Sequence, residues 1–439
     1  MSMNTTELID IAPEKVNYSK PLGLLSDVAR REQVNHIPSG GKTGGYTYFT
    51  DNKIEFQFTD SEAIDWTTSA LRIKVRLAGS NGVHKSALRM YSAHEIFEYT
   101  ELYHDNTEVY SSFNRTTRAL NNIILHQECN KDYIETEADV LTGLRTQWIN
   151  TATSRTAGAV NDEEFIIPLF YFHPFFAQQQ AHPIIGSRLR MVFHLASPAS
   201  FLEAGFDIDD RAIVNDVALI TTRIVLTPSK KAELMASIQS GDGVVLTYPD
   251  FQESKANPSR GGTESHTIKN DFNNAISLYA YTLYQPTDDL TYPQTNIGLA
   301  KKCSRLDAKC GSRGFTYGSE GSKSLLQHYA LYENCSDAYS NISGQGTVTW
   351  EAYNGVLMDA SSNTVAFSPL CISLERYSLP DSQITVLDSG ISSQDEGCTS
   401  DIHVLMSMNT HIAEEEDLYL TLVYQRMLVW NSRGIQTLK

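Results

Sequence analysis

The stretch Phe165 to Leu195, FIIPLFYFHPFFAQQQAHPIIGSRLRMVFHL, decides the fold. It opens with a nearly continuous apolar run, Phe165 to Phe176. Pro168 and Pro174 stand inside that run and break any helix there. A membrane-spanning helix needs roughly 20 consecutive apolar residues, and this run stops short of that at Gln178-Gln179-Gln180. Beyond the loop, Leu189, Met191, Phe193 and Leu195 alternate with Arg188, Arg190 and His194, the period of a strand with one buried face. A buried strand or turn, a loop and a half-buried strand are what the middle of a β-sandwich requires.

Similar patterns lie on both sides. Ile54, Phe56 and Phe58 alternate with polar residues, and Leu71, Ile73, Val75 and Leu77 alternate with Arg72, Lys74 and Arg76. Asn81-Gly82 marks a tight turn. Residues 94 to 110 read as strand, an Asp105-Asn106 turn and strand, followed by a helix with Tyr110, Phe113, Leu120, Ile123 and Ile124 near one face. Residues 128 to 164 read as loop with short strands, and Val214 to Leu226 as a further strand. Thr227-Pro228 starts a helix that Gly241 stops, a connection between two halves. The second half repeats the order: strand 275 to 284, a short helix 324 to 333, and strands 347 to 353, 366 to 376, 402 to 409 and 418 to 430. Residues 249 to 274 and 301 to 321 read as long polar loops. The chain of 439 residues is therefore expected to be all-β, with two tandem jelly-roll sandwiches at 46–227 and 242–439. A connecting helix at 228–241 joins them, and an arm at 1–45 acts in assembly rather than folding.

The charge and cysteines narrow the function. A net charge of −17 repels phosphate on average, which argues against a free nucleic-acid binder, and the arm carries balanced charge rather than a basic tail. The first residues, MSMNTTELIDIAPEK, lack a basic start and an apolar centre, so secretion is not expected. The six cysteines then read as reduced thiols, and the sequons at Asn4, Asn17, Asn114, Asn334 and Asn341 as unmodified.

No motif supports a reaction. Gly40-Gly41-Lys42-Thr43 has His36 where a phosphate-binding loop needs glycine, and strand rather than helix follows, so it reads as a hinge. Cys303 and Cys310 lack the second, closely spaced pair of a zinc site and read as surface thiols. His173 and His182, beside prolines and without a carboxylate cluster nearby, read as packing or capping groups. The run Glu414-Glu415-Glu416-Asp417 reads as a solvated turn, with a divalent-cation site between subunits as the sharper alternative. Catalytic, cofactor-binding and metal residues are all expected to be absent.

In their order, several stretches resemble the double jelly-roll major capsid proteins of double-stranded DNA viruses, of the polinton-like virus, adintovirus and virophage type. They are IEFQF from Ile54, LRIKVRL from Leu71, SAHEIFEYTELYHDNTEVY from Ser92, the IIPLFYF…HPIIGSRLRMVFHL stretch, VALITTRIVLTPS from Val217 and DLYLTLVYQRMLVW from Asp417. The resemblance implies a non-enzymatic virion protein made inside the host cell. Its upright jelly rolls would assemble as a homotrimer that tiles an icosahedral shell as a pseudo-hexamer, beside penton and minor capsid proteins. Direct sequence-specific contact with nucleic acid is not implied. The chain is shorter than many members of that group, which implies reduced tower loops. A carbohydrate-binding β-sandwich module or a viral spike or minor capsid protein is the competing reading. A cupin-like enzyme would need a ligand pattern such as H-x-H, which the sequence lacks.

Overall fold

The computed structural model describes residues 28–42, 45–59, 62–78, 93–111, 163–177, 182–197, 211–241, 243–256, 262–269, 274–284, 303–316, 370–374, 390–408 and 416–438. The first half supplies β1 (Val28–His36), β2 (Lys53–Phe58), β3 (Ala63–Ala78), β4 (Phe97–His104), β5 (Thr107–Ser111), β6 (Glu163–Pro168), β7 (His182–Pro183), β8 (Leu189–Leu195) and β9 (Arg211–Leu226). One sheet runs β1-β9-β3-β6, with β7 also on β3, and the other runs β2-β8-β4-β5. Helix α1 (Pro228–Ser240) follows. The second half supplies β10 (Val244–Ala256), β11 (Gly262–Lys269), β12 (Ser277–Tyr284), β13 (Cys303–Cys310), β14 (Arg313–Thr316), β15 (Leu370–Ser373), β16 (Asp401–Met408), β17 (Glu416–Asn431) and β18 (Gly434–Leu438). Its sheets run β10-β17-β12-β15, with β18 on β17, and β11-β16-β13-β14. Every strand pair described is antiparallel. These are two tandem jelly-roll sandwiches.

Alternation places the cores. Ile54, Phe56 and Phe58 of β2 and Leu71, Ile73 and Val75 of β3 point into one apolar cluster between the first two sheets. The second cluster takes Ile402, Val404 and Met406 of β16 against Leu278 and Ala280 of β12 and Leu418, Leu420 and Leu422 of β17. The run after β6 folds into two short 3-10 turns, Leu169–Tyr171 and Pro174–Ala177, which bury Leu169, Tyr171, Phe175 and Phe176. Helix α1 begins where Thr227 accepts a hydrogen bond from the Lys230 backbone and ends at Gly241, whose φ is 92°. Leu234 and Ile238 of the helix pack with Ile224 and Leu226 of the first half and Val244 and Trp430 of the second. The helix is thus wedged where the halves meet.

Four expectations are corrected. Residues 249 to 274 are not one loop: β10 pairs with β17 from Val244↔Trp430 to Ala256↔Leu418, and β11 pairs with β16. Among the described residues both are edge strands, so polar side chains and Pro249 are tolerated there. Residues 303 to 316 form the β13–β14 hairpin, and Cys303 and Cys310 are buried at 1% and 0% exposure rather than lying at the surface. Leu306, Ala308 and Cys310 take the inward positions of the strand's alternation. The segment 1 to 45 is not wholly an arm, because Val28–His36 pairs with β9 as the edge of the first sheet. Strand β8 is buried on both faces, since Val192 and His194 are covered as well. Tyr99 stacks on His194 with ring centroids 3.8 Å apart.

A bulge in β9 interrupts its pairing with β3 inside the first sheet. The register jumps from Arg72↔Ala218 to Lys74↔Asn215, and Asp216 sits in it at φ 46°. Its carboxylate pairs with Lys74 at 2.8 Å and Arg72 at 3.2 Å, and the Lys74 hydrogen bond together with the two cationic charges holds it below the usual carboxylate range against the opposing effect of burial. Beside the bulge, Tyr46 and Val214 exchange backbone hydrogen bonds at 2.9 Å. The sequence-predicted turn at Asn81-Gly82, the helices at 110–124 and 324–333, and the strand at 347–353 lie outside the described residues, apart from Tyr110, which belongs to β5.

The junction of the two jelly rolls as candidate functional site

Leu246 and Tyr248 of β10 and Leu428 of β17 belong to the apolar core of the first half. The second half therefore lends side chains to the first, and the boundary is crossed by buried polar contacts. Tyr248 donates from its hydroxyl to the Val109 carbonyl at 2.5 Å and packs edge-on against Phe175 at 4.9 Å. Thr107 donates to the Ile435 carbonyl at 3.0 Å.

At the centre stands Asp250, 5% exposed, on β10. His173, in the loop between the two 3-10 turns, reaches one of its oxygens through Nε2 at 3.2 Å. Arg426 donates to the other oxygen at 2.9 Å, and Tyr424 also donates to it at 3.4 Å. The Phe251 backbone N–H adds a bond of 2.8 Å. Burial pushes the Asp250 pKa up, but the hydrogen bonds from His173 and Arg426 and the charge of Arg426 outweigh it, so the carboxyl stays below its ordinary range. Burial pushes the Tyr424 and Tyr248 hydroxyls far up, so both remain neutral donors. Nδ1 of His173 accepts from the Phe175 N–H at 3.0 Å, so the proton of the neutral ring sits on Nε2, facing the carboxylate. Tyr110 stacks on His173 at 4.2 Å and closes the site from the first roll.

A second polar chain runs alongside. Trp66 donates to Nδ1 of His182 at 3.1 Å, and Nε2 of His182 contacts Nδ1 of His104 at 3.2 Å. Nε2 of His104 meets the Ser187 hydroxyl at 2.5 Å, and that hydroxyl donates to the Ile184 carbonyl at 2.9 Å. Indole N–H is a donor only, which sets the direction of every bond after it: each ring accepts at Nδ1 and donates at Nε2. Both rings are therefore neutral. Burial holds His104 down at about 4, and burial followed by the neighbouring ring holds His182 well below the ordinary value. His104 also packs edge-on against Trp430 of β17 at 5.0 Å.

The packing or capping role expected of His173 and His182 is what the structure shows, with one addition. Asp250 is the carboxylate that the local sequence around His173 does not contain. Lys42, in the hinge-like segment, pairs with Asp51 at 3.0 Å at the surface. Asp417, from the acidic run, pairs with Lys255 at 2.7 Å. Among the described residues no group of three or more His, Cys, Asp or Glu side chains could hold a metal ion, and no helix is long and apolar enough to cross a membrane. The junction is a closed joint, crossed by buried hydrogen bonds and shared apolar packing, suited to fixing one roll against the other.

No family model and no curated protein matches the sequence. Solved structures do match in shape. VP54 of PBCV-1, fitted into a reconstruction of the virophage Sputnik, superimposes with a TM-score of 0.57 at 14% identity, over 93% of this chain and 96% of that one. A chain of the Sputnik virophage structure gives 0.58 at 11% identity, over 96% and 91%. The mavirus major capsid protein gives 0.50 at 12%, over 96% and 93%. At such low identity the likeness establishes the fold: this chain is a double jelly roll of the kind seen in viral major capsid proteins.

Proposed function

We propose that the protein is a viral major capsid protein, a structural component of the virion with no enzymatic role. Three chains would form a homotrimer whose six jelly rolls give a pseudo-hexagonal tile for an icosahedral shell, with penton and minor capsid proteins completing it. The observation that carries this reading is the match of two tandem jelly rolls over nearly the whole length of both chains, 96% of this one and 93% of the mavirus major capsid protein. The locked junction supports it, because a tile must present two sandwiches at a fixed mutual angle.

The test is the mass and shape of the pure protein. Mass photometry is expected to show a species near three chain masses, and negative-stain microscopy a hexagonal outline. With a net charge of −17, association into larger arrays should strengthen as salt screens the repulsion. A monomer at micromolar concentration, indifferent to salt, would overturn the proposal and favour a single binding module.

A further inference from the structure

Two cysteines far apart in the sequence meet at the tip of the second roll. Cys310 ends β13, just before the Gly311-Ser312 turn of the hairpin, and is fully buried. Cys398 ends a tight turn closed by its own N–H donating to the Asp395 carbonyl at 3.0 Å, and is half-buried. The two turns interlock. Ser312 donates from its backbone to the Gly397 carbonyl at 2.8 Å, and from its hydroxyl to the same oxygen at 3.2 Å. The Cys310 thiol donates to the Thr399 carbonyl at 3.3 Å, and the Thr399 N–H reaches that sulfur at 3.5 Å. A Cβ placed on Gly311 would lie 2.2 Å from the Gly397 carbonyl oxygen, so the backbones touch. Cys398 immediately precedes Thr399, whose backbone holds the Cys310 sulfur, so the two cysteines sit side by side on the interlocked turns. Both are free in this structure, as are Cys303 and Cys371.

We infer that Cys310 and Cys398 form a redox-responsive pair, open as thiols and closable to a disulfide by a small-molecule disulfide such as oxidised glutathione. The exchange balances without any further reagent. The Cys398 thiolate, on the more accessible side, attacks one sulfur of oxidised glutathione and expels a first glutathione thiolate. Cys310, held beside it, attacks the mixed disulfide at the Cys398 sulfur and expels the second. Two protein thiols are oxidised, one external disulfide is reduced, and the two protons end on the two expelled glutathione thiolates, which leave as thiols. The product staples the β13–β14 hairpin to the 395–398 turn and closes the whole chain segment between them into a loop. Burial first, and then the neighbouring Cys310 thiol, push the Cys398 thiol up to about 11. The reactive thiolate is therefore scarce near neutrality, and closure should accelerate about tenfold per pH unit in that range. This chemistry is independent of the capsid reading, and it would leave the pair open in a reducing cytosol and closed outside it.

The experiment uses the full-length protein, incubated with oxidised glutathione, alkylated, digested without reduction and mapped by mass spectrometry. A peptide carrying Cys310 joined to Cys398 is expected, with a melting temperature raised by roughly 5 °C over the reduced protein. Cys398→Ser should abolish the shift and Cys303→Ser should leave it. Three results would each overturn the inference: both thiols alkylated after prolonged exposure, Cys310 joined to a different cysteine, or Cys398 persisting as a glutathione mixed disulfide. The wild-type map decides the matter even if a variant fails to fold.

Discussion

His182 donates its Nε2 proton to Nδ1 of His104 across 3.2 Å, within a chain that starts at the Trp66 indole and ends at the Ile184 carbonyl. A second proton on either ring would turn an acceptor nitrogen into a donor facing a donor. The chain is complete only while both rings are neutral, and it lies between the first roll and Trp430 of β17.

Acid should therefore loosen the molecule. The ordinary His value is 6.5, and folded His104 is held at about 4, so the unfolded chain takes up a proton over an interval in which the folded ring does not. Stability from this group is complete above 6.5 and declines as pH falls towards 4. The loss from His104 alone is capped at roughly 3 kcal/mol, and His182 acts in the same direction. Urea midpoints measured across that interval should fall steadily, and less so in His104→Gln. A flat profile would refute the assignment.

Asp250→Ala should be among the most damaging single changes. It leaves Arg426 and His173 facing each other in the buried junction without their shared carboxylate, which costs roughly 3–5 kcal/mol. Asp250→Asn, which keeps the volume, should cost less. Chemical denaturation gives the comparison, and equal stability of wild type and the alanine variant would contradict the geometry.

The glycines at 40 and 45 separate two effects. Both have positive φ, 71° and 78°, so alanine at either strains the backbone by about 1 kcal/mol. At Gly40 a Cβ meets nothing, whereas at Gly45 it would lie 2.1 Å from Asn215 Oδ1 and 2.6 Å from Ile213 Cγ2. Thermal melts should place Gly45→Ala well below Gly40→Ala, by some ~1–3 kcal/mol more. Equal effects would mean that the Tyr46–Val214 bridge does not hold the segment against β9.

Truncation should divide the N-terminal segment in two. Removing residues 1–27 touches none of the described strands and should leave a folded protein. Removing 1–36 deletes β1, breaks the Arg223–Glu32 and Arg31–Asp65 ion pairs, and bares the edge of β9. Light scattering should then report aggregation of the shorter protein alone.

The sequence showed its own structure best where the signal was local. Thr227-Pro228 and Gly241 bracket the helix that forms, and the alternation in Leu71 to Val75 marks a strand that forms. Strand β10 was hidden because Gln252, Glu253, Ser254 and Lys255 carry no apolar alternation; what makes β10 and β11 strand is the partner backbone, β17 for the first and β16 for the second. The junction was hidden for a different reason. His173 and Asp250 stand 77 residues apart and Trp66 and His182 stand 116 apart, so nothing in either neighbourhood announces the pairing. The cysteines misled because the missing zinc-type spacing says nothing of exposure, while inward alternation along β13 decides burial.

Strand β17 sets the order in which the molecule can be finished on the ribosome. Leu428 completes the apolar core of the first half, Trp430 covers helix α1, and the Ile435 carbonyl accepts from Thr107. All three are translated after the rest of the second roll. The first roll must therefore wait, with an open seam beside His104 and Phe175, until the final strands emerge. A nascent chain stalled before β17 offers that seam to chaperones, and the two rolls become native together rather than in turn.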